Sequence, residues 1–495
     1  MLCTPRTVVV SVVTGAVLAT VAAASPGPSS ITVAPETKAA ARQLLGGTLL
    51  DGQAYEYERQ LADMIGPRLT GSANYEQAAK WAAQEFTSIG LSKVREEEWT
   101  IPATWEPEAP AAGHIVSPVE HAFHIVSLGW SPSTPAGGVT GNVVYVKHLA
   151  AEQLDEQKAE LKGAIALFDR ESLGEKSNLL GILSALDHLR SLGPLAIMGT
   201  GIANGAESLT ALSFKGTIAP QPQVQVGLED SLLIKRLLER GPVSLQFSAT
   251  NRIRTEAAVH NVIAELPGSD PSAGMVLIGA HLDSWQPGTG AQDNGTGVAG
   301  LLEAARAIKA LNRPPRRTIR FVLFGGEEQG LLGSAAYARQ HRAEMENIDV
   351  MLNTDSGSEA AKGWMLMGRE DEKSALQTLK PLLSGLGADG ISSDTKFVFQ
   401  TDHAPFEFLG VPVLVLWTAT DKYMALHHKA SDTFDAVVSK DLAQGAAVLA
   451  LTCYAIADSA QPFAAHLSPA EVRGMAEKTD NLPGLDYLRK LGALP

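Results

Sequence analysis

A repeated order of strand and helix in the second half of the chain limits the fold more than any other feature. Four runs dominated by apolar residues alternate with helical patterns, of which residues 297–311 are the clearest. Such runs are typical of strands buried on both faces, and these occur in largely parallel sheets covered by helices. The sequence therefore predicts an α/β fold with a mostly parallel mixed sheet flanked by helices. Its expected strands are residues 275–280, 318–324, 348–353 and 411–417.

Acidic and imidazole side chains follow these predicted strands. His281 and Asp283 end the first strand on the same face, because strand side chains alternate, and Asp293 opens the next helix. Taken singly, each has an ordinary explanation, such as a structural histidine or a helix N-cap. Ligands of doubly wound sheets bind outside the carboxyl ends of the strands, so their joint occurrence predicts one shared site. The acids after the next two strands are Glu327, Glu328 and Asp355.

The residue types in this predicted site indicate a metal. Near the end of the chain His427 and His428 supply two candidate imidazoles. Histidine and carboxylate ligands suit zinc, and three acids with two histidines are enough for two Zn²⁺ that share one carboxylate. A structural zinc would need only four ligands and would prefer cysteine. The pattern therefore predicts a catalytic centre, in which one of the two adjacent glutamates binds metal and the other handles protons.

The stretch before these strands has a different character. Short β-rich runs at residues 142–146, 164–168 and 243–247 are interrupted by helical patterns. We interpret this stretch as a smaller, β-rich domain inserted into the main one, which begins with helical patterns between residues 37 and 91. The predicted units are a main domain at 36–117 and 248–460, an inserted domain at 118–247 and a C-terminal tail at 461–495.

The first residues have the pattern of a secretory signal. One arginine precedes an apolar run from Val8 to about Ala24, and small residues with prolines follow. We expect residues 1–24 to be removed and the protein to be exported, to the periplasm or the extracellular space. A membrane anchor is the alternative, but the run is short and rich in Ala and Thr. Loss of Cys3 with the signal would leave Cys453 without a disulfide partner in its own chain.

Charge narrows the range of partners. The chain has 40 Lys and Arg against 54 Asp and Glu, a formal net charge of -14. Phosphate backbones and anionic membrane surfaces are poor partners for such a chain. We therefore expect no nucleic-acid binding and no stable membrane insertion after the signal is cleaved.

The motifs resemble those of the dizinc exopeptidase family that includes bacterial secreted aminopeptidases and glutamate carboxypeptidases. The match rests on His281-Leu282-Asp283, the helix start at Asp293, the glutamate pair, Asp355, and a His428-x-x-x-Asp432-Thr433 tail. The segments Gly66-Pro67-Arg68-Leu69-Thr70-Gly71-Ser72 and His281-Leu282-Asp283-Ser284-Trp285 are most similar to the plasma glutamate carboxypeptidase branch. Residues 161–167 of the insertion resemble a protease-associated domain.

The resemblance implies a role for each residue. Asp293 would bridge two zinc ions, with Glu327 as general base and Asp283 as the partner of a ligand histidine. His428 is preferred to its neighbour because the family's ligand stands four residues before the acid of the Asp-Thr pair, here Asp432. The remaining ligands would be His281 and Asp355 for one ion, and Glu328 and His428 for the other. The implied activity is hydrolysis of dipeptides or short peptides, of aminopeptidase or dipeptidase type.

Other features leave alternatives open. Trp285, Asp402 and His403 are candidates for the substrate pocket, although a capped turn would also explain the last two. The inserted domain is a candidate lid that favours short substrates, or a contact in a homodimer. Two competing functions are a glutaminyl cyclase-like acyltransferase with one zinc, which usually lacks the insertion, and a non-catalytic binding scaffold of the same fold, which would lack ligands. The number of zinc ions per chain distinguishes them.

Overall fold

The computed structural model describes residues 31, 33–174, 179–201, 216–392 and 396–495. The expected signal at residues 1–24 lies outside these ranges. None of the helices described is long and apolar enough to cross a membrane. Cys453 is buried and its thiol is free.

Two mixed sheets organise the described residues. One has the strand order β1-β10-β12-β11-β13-β16-β14-β15, and the other has the order β3-β2-β9-β5-β6-β7-β8-β4. The strands are β1 (Ser92–Pro107), β2 (Ala112–Ser117), β3 (His121–Phe123), β4 (Ile125–Ser127), β5 (Val139–Tyr145), β6 (Ile165–Phe168), β7 (Ala196–Thr200), β8 (Gln223–Val226), β9 (Ser244–Ser248), β10 (Asn251–Leu266), β11 (Met275–His281), β12 (Thr318–Phe324), β13 (Ile348–Asn353), β14 (Gly363–Met365), β15 (Gly390–Ser392) and β16 (Val413–Trp417).

Helices cover the sheets. They are α1 (Pro35–Leu49), α2 (Ala54–Arg59), α3 (Ala73–Ile89), α4 (Ala151–Glu156), α5 (Lys158–Leu161), α6 (Arg170–Leu173), α7 (Leu179–Ser191), α8 (Leu228–Leu238), α9 (Thr296–Ala310), α10 (Leu332–Gln340), α11 (Lys373–Leu383), α12 (Ala404–Glu407), α13 (Asp421–Leu426), α14 (Ser439–Asp458), α15 (Pro469–Lys478) and α16 (Leu482–Lys490). Gln60–Ile65 forms a π-helix after α2, and a π-type turn at Ala291–Gly295 precedes α9.

The main sheet is buried on both faces, as its apolar strands predict. Side chains of β11 alternate between the two cores: Val276, Ile278 and Ala280 face one of them, and Leu277 faces the other. The first core is closed by α1, α2, α3, α9, α11 and α14, and the second by α10, α12, α15 and α16. Four strand pairs of this sheet are parallel: β11 with β12, β11 with β13, β13 with β16, and β14 with β15.

The second sheet, in the part of the chain before β10, has its own apolar cores. It begins with β2 at Ala112–Ser117, which pairs with β9, so the inserted unit starts before residue 118, where the sequence pattern changes. Two long antiparallel strands, β1 and β10, pair from Ser92 to Pro107 and from Asn251 to Glu265. They frame the insertion and belong to the main sheet.

Residues 461–495 do not form an extended tail. Pro at the first turn and a Ser468 capping box with Glu471 begin α15, and α16 follows it closely. Leu485 and Leu488 of α16 are buried in the second core, and the Tyr487 hydroxyl donates to the Gly330 carbonyl at 3.0 Å. The C-terminal helices therefore belong to the main domain.

Candidate metal centre

The central strands end at the same edge of the main sheet. In the parallel register His281 pairs with Phe324, and Gly279 pairs with Asn353. Strand β11 lies between β12 and β13. The next strand along the chain, β12, pairs on one side of β11, and the following strand, β13, pairs on its other side. This is the switch point at which doubly wound sheets bind ligands. The segments after these strands carry the acids that the sequence singles out.

His281, Asp293 and Asp355 form the first set of side chains. The Nε2 atom of His281 lies 3.2 Å from Oδ1 of Asp293 and 3.4 Å from Oδ1 of Asp355. One ligand atom from each residue lies within 4.8 Å of the others, a spacing that one metal ion can span. The structure thus brings together three of the predicted ligands.

The second set shares Asp293. The Nε2 atom of His428 lies 2.9 Å from Oε2 of Glu328 and 3.2 Å from Oδ2 of Asp293. His427 is stacked on His428 with ring centroids 3.6 Å apart, and its own Nε2 lies 3.4 Å from the same Asp293 oxygen. His428 therefore contacts both acids of this set, whereas the ion-pair contact of His427 is to Asp293.

These side chains fit metal ions because their polar atoms are otherwise unsatisfied. Buried atoms without a hydrogen-bond partner among the described residues include His281 Nε2, Asp293 Oδ2 and Glu328 Oε1. Burial would lower the pKa of His428, but Glu328 and Asp293 raise it to about 10. Burial raises the pKa of Glu328 to about 7, against the effect of His428. The carboxylates of Asp293, Glu328 and Asp355 are buried close together, and their negative charge needs nearby cations to balance it. Two metal ions bound among them would supply that positive charge.

Neighbouring side chains hold Asp293 and Asp355 in place. Asp432 accepts backbone N–H bonds from Gln292 at 2.7 Å and from Asp293 at 3.1 Å, one on each carboxylate oxygen. Asp355 accepts from the Thr401 hydroxyl at 2.6 Å and from the Tyr423 hydroxyl at 3.3 Å. The acid of the Asp-Thr pair thus supports the backbone that carries the shared carboxylate.

Asp283 contacts His281 through both its backbone and its carboxylate. The Nδ1 atom of His281 lies 3.0 Å from the backbone oxygen of Asp283 and 3.5 Å from its carboxylate Oδ1. The carboxylate is fully buried and also accepts from the Thr70 hydroxyl at 2.8 Å and from the Glu327 N–H at 3.4 Å. Asp283 therefore connects the histidine segment with the glutamate segment.

Arg68 fixes the loop between His281 and Asp293. It is fully buried, and its guanidinium donates to the carbonyl oxygens of Leu282 at 2.6 Å, Thr289 at 2.7 Å and Gly290 at 2.8 Å. Burial lowers the pKa of Arg68, and the nearby carboxylates of Glu58 and Asp432 oppose that shift. The loop between two predicted ligands is thereby tied to the segment before α3.

A cavity of about 420 Å³ opens beside the metal cluster. Glu327 and His403 line it, whereas Trp285 and Asp402 are not among its lining residues; Trp285 lines a small neighbouring cavity with Asp293 and His428. Trp285 is buried against the His428 ring, with centroids 6.0 Å apart. Asp402 is fully buried, and burial raises its pKa to about 8. The apolar part of the lining includes Leu331, Met365, Met367, Phe399, Val415 and Met424.

Several residues of the site carry no sequence signal of their own. Thr401 and Tyr423, which hold Asp355, come from a loop and a short helix far along the chain. Leu183 of α7 also lines the cavity, so the inserted unit contributes to its wall. The one available clue is position, because Thr401 directly precedes the flagged Asp402 and Tyr423 lies one helical turn before His427.

Comparisons with known proteins agree with this site. Residues 261–453 match the family model described as Peptidase family M28. Carboxypeptidase Q of Mus musculus is 29% identical over 417 residues, which cover 82% of this chain and 86% of the mouse protein. The crystal structure of a peptidase M28 precursor from Shewanella amazonensis SB2B is 29% identical, with a TM-score of 0.75 over 88% of this chain and 99% of that one.

The fold also recurs in BSAP, a zinc aminopeptidase from Bacillus subtilis. It is 22% identical, with a TM-score of 0.62 over 81% of this chain and 93% of that chain. Together the site and the matches define the class: this chain is a metallo-exopeptidase. More particularly, residues 261–453 match peptidase family M28, in agreement with the resemblance seen in the motifs, and the neighbours confirm the α/β fold.

Proposed function

We propose that this chain is an exported, zinc-dependent exopeptidase that hydrolyses short peptides from the free amino end, with Glu327 as general base. One observation carries the proposal: two sets of candidate ligand side chains share Asp293 at the rim of a cavity that Glu327 also lines. His281 and Asp355 would hold one ion with Asp293, and Glu328 and His428 would hold the other. The name of the Bacillus subtilis relative supports zinc as the metal.

Zinc ions held there would make water more acidic and would polarise the scissile carbonyl. The chain's own part is proton transfer. Burial raises the pKa of Glu327 well above its usual range, His281 opposes this shift, and Asp355 and Glu328 add to it. A carboxylate with a raised pKa suits a group that takes the proton of the attacking water and then gives it to the leaving amine nitrogen.

The lining of the cavity supports recognition of the amino end. None of the described residues that line it is Lys or Arg, while Glu327 and Glu328 are both present. A substrate carboxylate would find no lysine or arginine there to pair with, whereas a free ammonium group would be attracted by the carboxylates. The apolar part of the lining suits an uncharged substrate side chain.

The rest of the chain supports an exported enzyme with a covering domain. The signal-like pattern at residues 1–24 supports export to the periplasm or the extracellular space. We also propose that the inserted sheet is a protease-associated domain, as residues 161–167 suggest, and that it limits the cavity to short substrates. The contribution of Leu183 to the cavity wall supports that second role.

A panel of blocked substrates tests the proposal. Leucine anilide and leucine dipeptides should be hydrolysed when the amino group is free, and amidation of the carboxyl end should change the rate little. N-acetylation, or removal of metal by a chelator, should abolish hydrolysis. Faster cleavage of N-acetylated dipeptides that need a free carboxyl end would contradict the proposal. Conversion of amino-terminal glutamine to pyroglutamate, without hydrolysis of any substrate, would favour the cyclase.

A further inference from the structure

The segment Gly66-Pro67-Arg68-Leu69-Thr70-Gly71-Ser72 contains a buried hydroxyl that no proposed catalytic step uses. Thr70 is fully buried in the loop between the π-helix Gln60–Ile65 and α3. Its Oγ1 donates a hydrogen bond to Oδ2 of Asp283 at 2.8 Å. The same oxygen accepts a hydrogen bond from the Gly326 N–H at 2.7 Å. One hydroxyl thus joins the segments that follow β11 and β12.

Both bonds lead towards the catalytic side chains. Gly326 directly precedes Glu327, whose own N–H donates to Oδ1 of Asp283 at 3.4 Å. Asp283 in turn contacts Nδ1 of His281 through its backbone oxygen at 3.0 Å. Thr70 and Asp283 together therefore hold two consecutive backbone N–H groups, those of Gly326 and Glu327.

The Glu327 segment depends on such bonds because it lacks side chains that could pack. Gly326 adopts φ +69°, a left-handed conformation, and a Cβ there would come within 2.7 Å of the Trp99 ring. Gly325 also has no side chain, and its N–H donates to Oδ1 of Asn261 at 3.0 Å. With two glycines in succession, hydrogen bonds to Asn261 and Thr70 set the path of the backbone into Glu327.

We propose that Thr70 is a positioning residue for Glu327. Its hydroxyl fixes the Gly326 backbone and the Asp283 carboxylate at once, and so sets the position from which the Glu327 carboxylate reaches the substrate. The inference rests on the proposed role of Glu327 and adds to it the residue that orients this base. Valine has nearly the shape of threonine but would leave the Gly326 N–H and Asp283 Oδ2 unpaired in a buried place. Serine would keep both bonds.

The test compares Thr70→Val with Thr70→Ser. For hydrolysis of leucine anilide, T70V should lower kcat by about 10- to 100-fold, as loss of a supporting hydrogen bond does at comparable sites, with KM nearly unchanged. T70S should recover most of that loss. The zinc content of T70V should equal that of the wild type, because neither hydrogen bond of Thr70 goes to a proposed ligand side chain. The matched control is Thr48→Val, a buried threonine of α1 whose hydroxyl donates to Leu44 O at 2.8 Å.

A double mutant shows whether Thr70 acts through Glu327. In a Glu327→Gln background, T70V should cost little further activity, because the group that it positions is already gone. Wild-type kcat in T70V, equal losses in T70V and T70S, a loss of zinc in T70V, or additive effects in the double mutant would each overturn the proposal. If T70V is insoluble, Thr70→Cys replaces it, and its weaker hydrogen bonds should give an intermediate kcat.

The two proposals fail in different ways. An inactive wild type on every unblocked substrate would reject the proposed function. An active wild type whose T70V variant behaves like T48V would reject the positioning role alone.

Discussion

Asp293 is the residue on which both halves of the site depend. Its two oxygens face different histidines, Oδ1 towards His281 and Oδ2 towards His428. Burial would raise the pKa of Asp293, but His281 and His428 hold it well below its usual range. The residue is therefore an anion in the protein interior, and its position between the two sets is the reason that we propose it as the shared ligand.

Glu327 differs from its neighbour Glu328 in its surroundings. Glu328 lies against His428 at 2.9 Å, whereas Glu327 lines the cavity without an ion pair among the described residues. Both residues lie in the turn after β12, where the Glu327 carbonyl accepts from the N–H groups of Gly330 and Leu331. Their carboxylates have different surroundings there, so one can serve the metal while the other stays free for protons.

Replacement of Glu327 by Gln tests this division of roles. The variant should retain two zinc ions per chain, because none of the proposed ligands is changed, but kcat should fall by about 10²- to 10⁴-fold with loss of the general base. Steady-state kinetics and metal analysis of the same preparation measure both. The matched control is Glu346→Gln at an exposed position. Near-normal turnover in Glu327→Gln would reject the role.

At the scale of elements, apolar strands were predictable and amphipathic ones were not. The structure has β12 and β13 at the bounds that the sequence predicts, because strands buried on both faces give unbroken apolar runs. The antiparallel pair β1 and β10 escaped prediction because charged residues such as Arg95, Glu96 and Glu98 leave no apolar run, and the first half of β1 is exposed or only partly buried. The two C-terminal helices were missed for a similar reason, since each buries only part of its surface.

The candidate site likewise has a part that the sequence predicts and a part that it does not. The segments that carry the proposed ligands could be predicted, because most of them directly follow an apolar strand that is recognisable in the sequence. The carboxyl ends of parallel strands meet at one edge of the sheet, so these segments lie together. Residues that support those ligands could not be predicted in this way. Arg68 and Thr70 contact residues more than 200 positions later, and no local pattern records such pairs.

Replacement of Leu488 by Ala tests the place of α16 in the main core. Leu488 is fully buried, so the variant should lose about 2–5 kcal/mol of unfolding free energy, as large-to-small changes in a core do. Leu50, which is 84% exposed, provides the control, and Leu50→Ala should change stability by less than about 0.5 kcal/mol. Denaturant unfolding compares the two. Equal stability of both variants would show that α16 contributes no core packing.

At the scale of the whole molecule, the inserted unit contacts the peptidase domain close to the metal cluster. Trp130 is fully buried, and its indole N–H donates to the Ala103 carbonyl of β1 at 2.7 Å. Its ring lies 6.1 Å from that of Trp285, which in turn lies 6.0 Å from His428. A continuous row of rings therefore runs from the inserted unit to a proposed ligand. This row explains why Trp285 is buried behind the site and does not face the cavity.

The number of metal ions per chain tests the central claim most directly. Zinc measured by elemental analysis should give two ions per chain in the wild type. Asp293→Ala should lose both, because this residue belongs to both sets, and His281→Ala should lose about one. One ion or none in the wild type, or two ions retained without Asp293, would contradict the account of a shared dizinc centre.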